Sequence, residues 1–133
     1  MKLCCCAAVY TAYRVQLAAR EMTVAATVDH ELNELKREFL GEAREKVDEM
    51  QSIVDGGSRD SAALDRLAYL AHQLKGSGGS YGYQQISDDA TQLEKAIESL
   101  AAGNGDPATL DAKIRQHVTN LRDEIDGALK ELL

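Results

Sequence analysis

The stretch ALDRLAYLAHQLKGSGGSYG, residues 63–82, carries the clearest helical pattern in the chain. Its apolar residues recur at steps of three, four or seven and share one side of a helix: Leu64, Leu67, Ala71, Leu74 and Tyr81. Asp60 or Ser58 is suited to cap the start of that helix, because a short polar side chain can accept from a free backbone N–H. The stretch therefore predicts a helix with one apolar face.

Three more apolar stripes with helical spacing occur in the sequence, one before this stretch and two after it. The first starts near Asp29 and contains Leu32, Leu35, Phe39, Ala43, Val47, Met50 and Val54. The next starts near Gln84 and contains Ile86, Ala90, Leu93, Ile97 and Leu100. The last contains Leu110, Ile114, Val118, Leu121, Ile125, Leu129 and Leu132. These stripes predict four helices in total.

Short glycine-containing breaks separate the stripes. Asp55-Gly56-Gly57 ends the first, with Gly56 suited to the left-handed position that follows a helix. Gly103-Asn104-Gly105 ends the third, and Asp106-Pro107 restarts the chain as an N-cap followed by proline at the first helical position. Short connections favour antiparallel neighbours, so we expect an all-α, up-down-up-down four-helix bundle.

Composition agrees with this fold class. The chain has 133 residues, 44% of them hydrophobic, one proline and no tryptophan. That length favours a single domain, and the β-branched and aromatic residues are too scattered for a sheet. Residues 23–133 form the expected bundle.

Residues 1–22 differ from the rest of the chain and are expected to be an extension outside the bundle. Lys2 precedes an apolar run from Leu3 to Tyr13 that contains the three cysteines, Cys4, Cys5 and Cys6. The run resembles the core of a signal peptide but lacks a convincing A-x-A cleavage site. Two other interpretations are open. The segment is a transit peptide, or the start of the chain is assigned too early and Met22 is the working start.

Charge and residue types exclude several functions. Residues 21–133 hold all 22 acidic and 12 of the 15 basic side chains, a net −10 against +3 for residues 1–20 and −7 for the chain. Such a body repels phosphate backbones, which disfavours nucleic-acid binding. No apolar run is long enough to span a membrane. The three histidines have no metal-ligand spacing, so we expect neither a metal nor a cofactor.

One histidine is placed unlike a core residue. On a helical wheel His72 lies opposite the stripe of its helix, on a face with Ala68, Gly76 and Gly79. Either the helix ends near Lys75 and the glycines form a flexible loop, or it continues and the glycines let another protein approach the imidazole. Imidazole is nucleophilic near neutral pH, and the Lys75 ammonium could offset the charge of a phosphoryl group.

The motif His-x-Leu-Lys-Gly-Ser-Gly-Gly-Ser-Tyr-Gly at 72–82 closely resembles the signature of histidine-containing phosphotransfer (HPt) domains. The resemblance covers about residues 32–102 and includes Phe39-Leu40-x-Glu42-Ala43 in the first helix. It implies a four-helix bundle in which His72 accepts a phosphoryl group from a receiver-domain aspartyl phosphate and passes it on. It further implies that Lys75 steadies the phosphoryl group, that Gly76 leaves room for the receiver, and that Glu94 hydrogen-bonds the other ring nitrogen.

The resemblance also implies partners. These would be response-regulator receiver domains and a hybrid histidine kinase, with docking residues Ala68, Gln73, Gly76, Ser77 and Gly79. No ATP-binding kinase domain fits in the chain, so we expect a monomeric cytoplasmic phosphoryl carrier rather than an enzyme, with any Mg²⁺ in the partner's aspartate pocket. The alternatives are a bundle that binds a receiver or kinase without carrying phosphate, and a structural bundle that dimerises through its last helix.

The remaining histidines and tyrosines are given structural roles. His30 is expected on the surface and His117 partly buried beside the last stripe. The tyrosines near His72 are expected to contribute packing rather than chemistry: Tyr69, Tyr81 and Tyr83.

Overall fold

Residues 2–132, the part of the backbone that the structure describes, form four helices. The computed structural model describes the backbone of residues 2–132 and the side chains of residues 28–132. The helices are α1 (Lys2–Asp55), α2 (Ser61–Ser80), α3 (Gln84–Ala102) and α4 (Pro107–Leu132), and no strand occurs in the described backbone. The predicted all-α, antiparallel four-helix bundle is confirmed.

The chain divides into two compact units, Met1–Leu35 and Lys36–Leu133, and the bundle core lies in the second. The expected start of the first helix near Asp29 is wrong, because α1 begins at Lys2. No glycine or proline occurs before Gly41, so nothing in the local sequence interrupts a helix there. The proposal that residues 1–22 form a separate extension concerns side chains outside the described residues and stays a prediction.

The bundle core is apolar throughout and combines the four predicted stripes. All four helices contribute buried side chains, and no charged or polar side chain in the described part of the chain is buried with them. The first stripe is shorter than predicted, because Leu32 and Leu35 are 42% and 48% exposed. The buried part of the stripe runs from Phe39 to Val54.

The predicted helix ends are largely confirmed. Asp60 caps α2 by accepting from Ala63 N at 2.8 Å, and Asp106 caps α4 by accepting from Thr109 N at 3.3 Å. Gly103 ends α3 in the left-handed conformation with φ 73°. After α1 the left-handed residue is Gly57, with φ 74°, and not Gly56 as predicted. No described helix is both long and apolar enough to cross a lipid bilayer.

Arg59 connects the end of α1 to α4 by hydrogen bonds to both helices. The sequence pattern did not indicate these contacts. Its guanidinium donates to Val54 O at 3.2 Å and to Asp111 Oδ1 at 2.6 Å. Carbonyls in the last turn of a helix lack partners within that helix, so a guanidinium can satisfy them. Hydrogen bonds from Arg115 and Arg59 keep the pKa of Asp111 below its usual value.

A half-buried group of titratable side chains lies between α3 and α4. The predicted partly buried position of His117 is confirmed, with Nδ1 3.1 Å from Asp89 Oδ1. Burial raises the pKa of Glu124 to about 8, helped by hydrogen bonding to Asp89 and by the negative charges of Asp89, Asp123 and Asp88. The folded protein therefore favours the neutral form of Glu124.

Glu124→Gln is expected to stabilise the protein selectively at alkaline pH. The folded-state pKa of Glu124 lies above its unfolded value, so the stability linked to its proton is complete below about pH 4.5 and is lost as pH rises towards 8. Glutamine mimics the neutral acid and removes this loss. Urea unfolding midpoints should coincide near pH 5 and favour the variant at pH 9. An equal difference at both pH values, or the same behaviour in the exposed control Glu131→Gln, would contradict the assignment.

Candidate functional site

The glycine-rich stretch after His72 is helical. Helix α2 continues through it to Ser80, so the interpretation as a flexible loop after Lys75 is wrong and the continuous-helix interpretation is confirmed. Tyr81 N donates to Ser77 O at 3.0 Å, and the turn then passes through Gly82, whose φ is 83°. The glycines therefore belong to a defined helical surface.

Gly78 is the position at which α2 and α3 approach most closely among the described glycines. A Cβ on Gly78 would lie 3.2 Å from Ser87 N and 3.3 Å from Ile86 Cγ2. Tyr83 N donates to Gly78 O at 2.8 Å, so backbone from both sides of the turn meets here. The absence of a side chain thus permits the close approach of α3, the helix that carries Glu94.

His72 projects into solvent from α2 and contacts one acidic side chain. Its side chain is 70% exposed, and its Nδ1 lies 3.3 Å from Glu94 Oε1. A carboxylate only accepts hydrogen bonds, so this contact favours a proton on Nδ1 and a lone pair on Nε2. Nε2 is then the nitrogen available for nucleophilic attack. The structure brings these two predicted site residues together.

Lys75 shares the same carboxylate. Its Nζ lies 3.8 Å from Glu94 Oε2, which is within ion-pair range but too long for a hydrogen bond. Glu94 is only 18% exposed, whereas Lys75 is 42% exposed. One partly buried carboxylate therefore holds both the imidazole and the ammonium, one helical turn apart on α2.

A shallow depression of about 550 Å³ opens beside the imidazole. Three of the predicted docking residues line it together with His72: Gln73, Gly76 and Ser77. Its other lining residues are Lys46, Ser80 and Tyr81. A Cβ on Gly76 would meet no atom within 4 Å, so nothing in the chain's own packing requires glycine there.

The other two predicted docking residues lie outside the depression. Ala68 is half-buried and packs against the core. Gly79 is exposed, and a Cβ there would be 3.7 Å from Ser87 Oγ, so Gly79 borders α3. Among the residues with described side chains, no group of three His, Cys, Asp or Glu is arranged to hold a metal ion.

The chain matches a known protein family over most of its length. The family model described as Hpt domain matches residues 34–130. The chain belongs to the Hpt domain family. The match includes His72, Lys75 and Glu94 and extends almost to the end of α4, beyond the resemblance noted in the sequence.

Similarity to curated proteins is more local. The proteasome-associated ATPase of Mycobacterium avium (strain 104) is 38% identical over 76 residues, which are 54% of this chain and 12% of that protein. Those of Mycobacterium ulcerans (strain Agy99) and Mycobacterium marinum (strain ATCC BAA-535 / M) are 37% identical over 73 residues, 52% of this chain and 12% of theirs. This chain thus spans about 12% of these relatives' length. No solved structure matches it significantly.

Two of the three tyrosines of this Hpt domain have the predicted packing role. Tyr81 and Tyr83 stack on Phe39 with ring centroids 4.8 Å and 5.9 Å away. Tyr69 does not, because it is 52% exposed. Its hydroxyl accepts from Gln73 at 2.7 Å, so it borders the depression through a predicted docking residue.

Sequence reasoning missed the basic residue that α1 contributes to the depression beside His72. Lys46 lines the depression together with the α2 residues. It sits beside the buried Val47 at the edge of the α1 apolar stripe, where helical spacing alone predicts a solvated residue. Only the packing of α1 against α2 reveals the proximity.

Proposed function

We propose that this protein is a phosphorelay carrier in which His72 accepts a phosphoryl group from a receiver-domain aspartyl phosphate and passes it to another receiver. Membership in the Hpt family implies phosphotransfer in two-component signalling. The observation that carries the assignment to His72 is its exposed ring, whose Nδ1 faces Glu94, so that Nε2 is the nitrogen with the lone pair.

The transfer needs a nucleophile, an electrostatic partner and an accessible face. The Nε2 lone pair attacks phosphorus, the bond between phosphorus and the aspartate oxygen breaks, and the carboxylate leaves with the bonding electrons. Nδ1 keeps its proton, and Glu94 offsets the positive charge that develops on the ring. Lys75 supplies a cation one helical turn away for the phosphoryl oxygens. Any Mg²⁺ belongs to the receiver's aspartate pocket.

Docking uses the face of α2 around His72. Gln73, Gly76 and Ser77 line the depression. The half-buried Ala68 and the exposed Gly79 lie on the same side of α2 by helical spacing. A helical glycine costs about 1 kcal/mol relative to alanine. Since Gly76 has open space around its Cα, that cost is explained by a partner that needs the clearance. The proposed partners are receiver domains and a hybrid histidine kinase, with this chain acting as a cytoplasmic monomer.

Gly76→Gln is expected to slow phosphoryl transfer from a receiver at least about tenfold while leaving the fold intact, because glutamine fills the docking face but is a better helix former than glycine. Transfer rates and urea midpoints of the same preparations check both parts. Gly127→Gln is the matched control, since Gly127 is an exposed glycine in α4 with no atom within 4 Å of an added Cβ. Unchanged transfer in Gly76→Gln would contradict the proposed docking face.

The proposed function is tested by incubating the full chain with a panel of ³²P-labelled receiver domains. We expect at least one receiver to transfer label that is acid-labile and base-stable, as a phosphoramidate bond is, and that maps to the peptide containing His72. Absence of transfer from every receiver, with the chain folded, would overturn the proposal. Receiver binding without transfer would then favour a bundle that binds without carrying phosphate.

A further inference from the structure

We propose that Lys46, on α1, binds the phosphoryl group carried by His72. It would be the second cation of the phosphohistidine site beside Lys75. This inference rests on the proposed function and adds a residue to it. The carrying observation is that Lys46 lines the same 550 Å³ depression as the imidazole although it comes from a different helix.

The charges around His72 would not balance a phosphoryl group without a second cation. A phosphoryl group carries close to two negative charges at neutral pH, since its second pKa is about 6. Lys75 is the cation already present, but its Nζ lies 3.8 Å from Glu94 Oε2. The positive charge of Lys75 and the negative charge of Glu94 therefore largely cancel, and a phosphorylated ring would leave an excess of negative charge.

Two acidic residues lie one helical turn from Lys46 on α1, Glu42 and Glu49. Lys46 forms no ion pair in the part of the chain whose side chains are described, and Glu49 is bonded to Arg66, whose Nε and Nη2 donate to its two carboxylate oxygens at 2.7 Å and 3.0 Å. These bonds lower the pKa of Glu49, which favours the ionised carboxylate that pairs with Arg66. The ammonium of Lys46 is thus available to an anion in the depression.

The packing around Lys46 determines where its ammonium group lies. Its neighbours on the α1 stripe, Ala43 and Val47, are fully buried, and Lys46 itself is half-buried. A lysine at the edge of a buried stripe extends its methylene chain over the apolar surface and places its ammonium at the rim. That rim is the depression that contains His72, Gly76 and Ser80.

A cation at this place has a defined effect on the phosphorylated protein. It favours the dianionic phosphoryl group over the monoanion and so lowers the second pKa of that group. It also favours the phosphorylated carrier over the free one. Lys75 and Lys46 then contact the group from two helices, and loss of either charge weakens its retention.

The test uses the full chain phosphorylated by phosphoramidate, a small donor that needs no receiver. The ring nitrogen attacks phosphorus, the P–N bond of the donor breaks, and ammonia leaves. The second pKa of the phosphoryl group is then read from the ³¹P chemical shift, and the phosphohistidine half-life is measured, in wild type, Lys46→Met and Lys46→Arg. Lys113→Met, an exposed lysine of α4, controls for net charge.

We expect Lys46→Met to raise the phosphoryl pKa by about 0.5–1 unit and to shorten the half-life several-fold. Lys46→Arg should retain most of the wild-type behaviour, and Lys113→Met all of it. A wild-type titration in Lys46→Met would overturn the role of Lys46 while leaving the proposed function standing. Failure of wild type to acquire a phosphoryl group on His72 from phosphoramidate and from every receiver would instead overturn the proposed function, and this inference with it.

Discussion

His72→Gln is expected to acquire no detectable phosphoryl group while unfolding at the same urea concentration as wild type. The imidazole is 70% exposed, so its removal creates no cavity. Glutamine is a good helix former and can still donate to Glu94, which keeps the local contact. It has no basic nitrogen lone pair, so the nucleophile alone is lost. The measurement pairs ³²P transfer from receivers with urea unfolding.

His117→Gln provides a matched control for this experiment. His117 is also a helical histidine next to a carboxylate, with Nδ1 3.1 Å from Asp89 Oδ1, but it is only 22% exposed and lies between α3 and α4. We expect this variant to accept label at the wild-type level and to lose some stability, since the contact with Asp89 is partly buried. Label retained by His72→Gln, or lost in His117→Gln, would place the phosphoryl group elsewhere.

Local pattern was sufficient to predict the bundle and the exposed histidine. The apolar stripes have helical spacing, and residues such as Asp60 and Asp106 mark helix starts by a mechanism that operates within one turn. The outward placement of His72 follows from its angle to Leu67 and Leu74 on the same helix. Features that depend on a single element are therefore readable from the sequence.

Helical spacing alone did not predict the features that depend on two elements. Leu32 and Leu35 fit the stripe of α1, yet they are 42% and 48% exposed. Glu94 of α3 contacts His72, and Lys46 of α1 lines the depression beside it; only the resemblance to a known family suggested Glu94. Tyr69 was expected to contribute packing, yet its side chain is 52% exposed. Periodicity carries no information on the distance between helices.

Gly78→Leu is expected to lower the free energy of unfolding by about 2–3 kcal/mol and to impair phosphoryl transfer as well. The first carbon of the side chain already lies 3.2 Å from Ser87 N, a backbone atom that cannot rotate away. The remaining methyl groups must then push α3 from α2. Because α3 carries Glu94, its displacement lengthens the 3.3 Å contact with His72 Nδ1. Urea unfolding and transfer from a receiver measure the two effects.

The adjacent glycine separates this steric argument from a general intolerance of side chains. Gly79 is exposed, and a Cβ there would meet only Ser87 Oγ, at the ordinary contact distance of 3.7 Å. Gly79→Ala should therefore be as stable as wild type or more stable by up to about 1 kcal/mol, because alanine is the better helix former. Equal destabilisation by Gly78→Leu and Gly79→Ala would mean that both glycines serve the flexibility of the helix. A loss confined to Gly78 would instead show that glycine sets the separation of α2 and α3, and through it the orientation of the imidazole by Glu94.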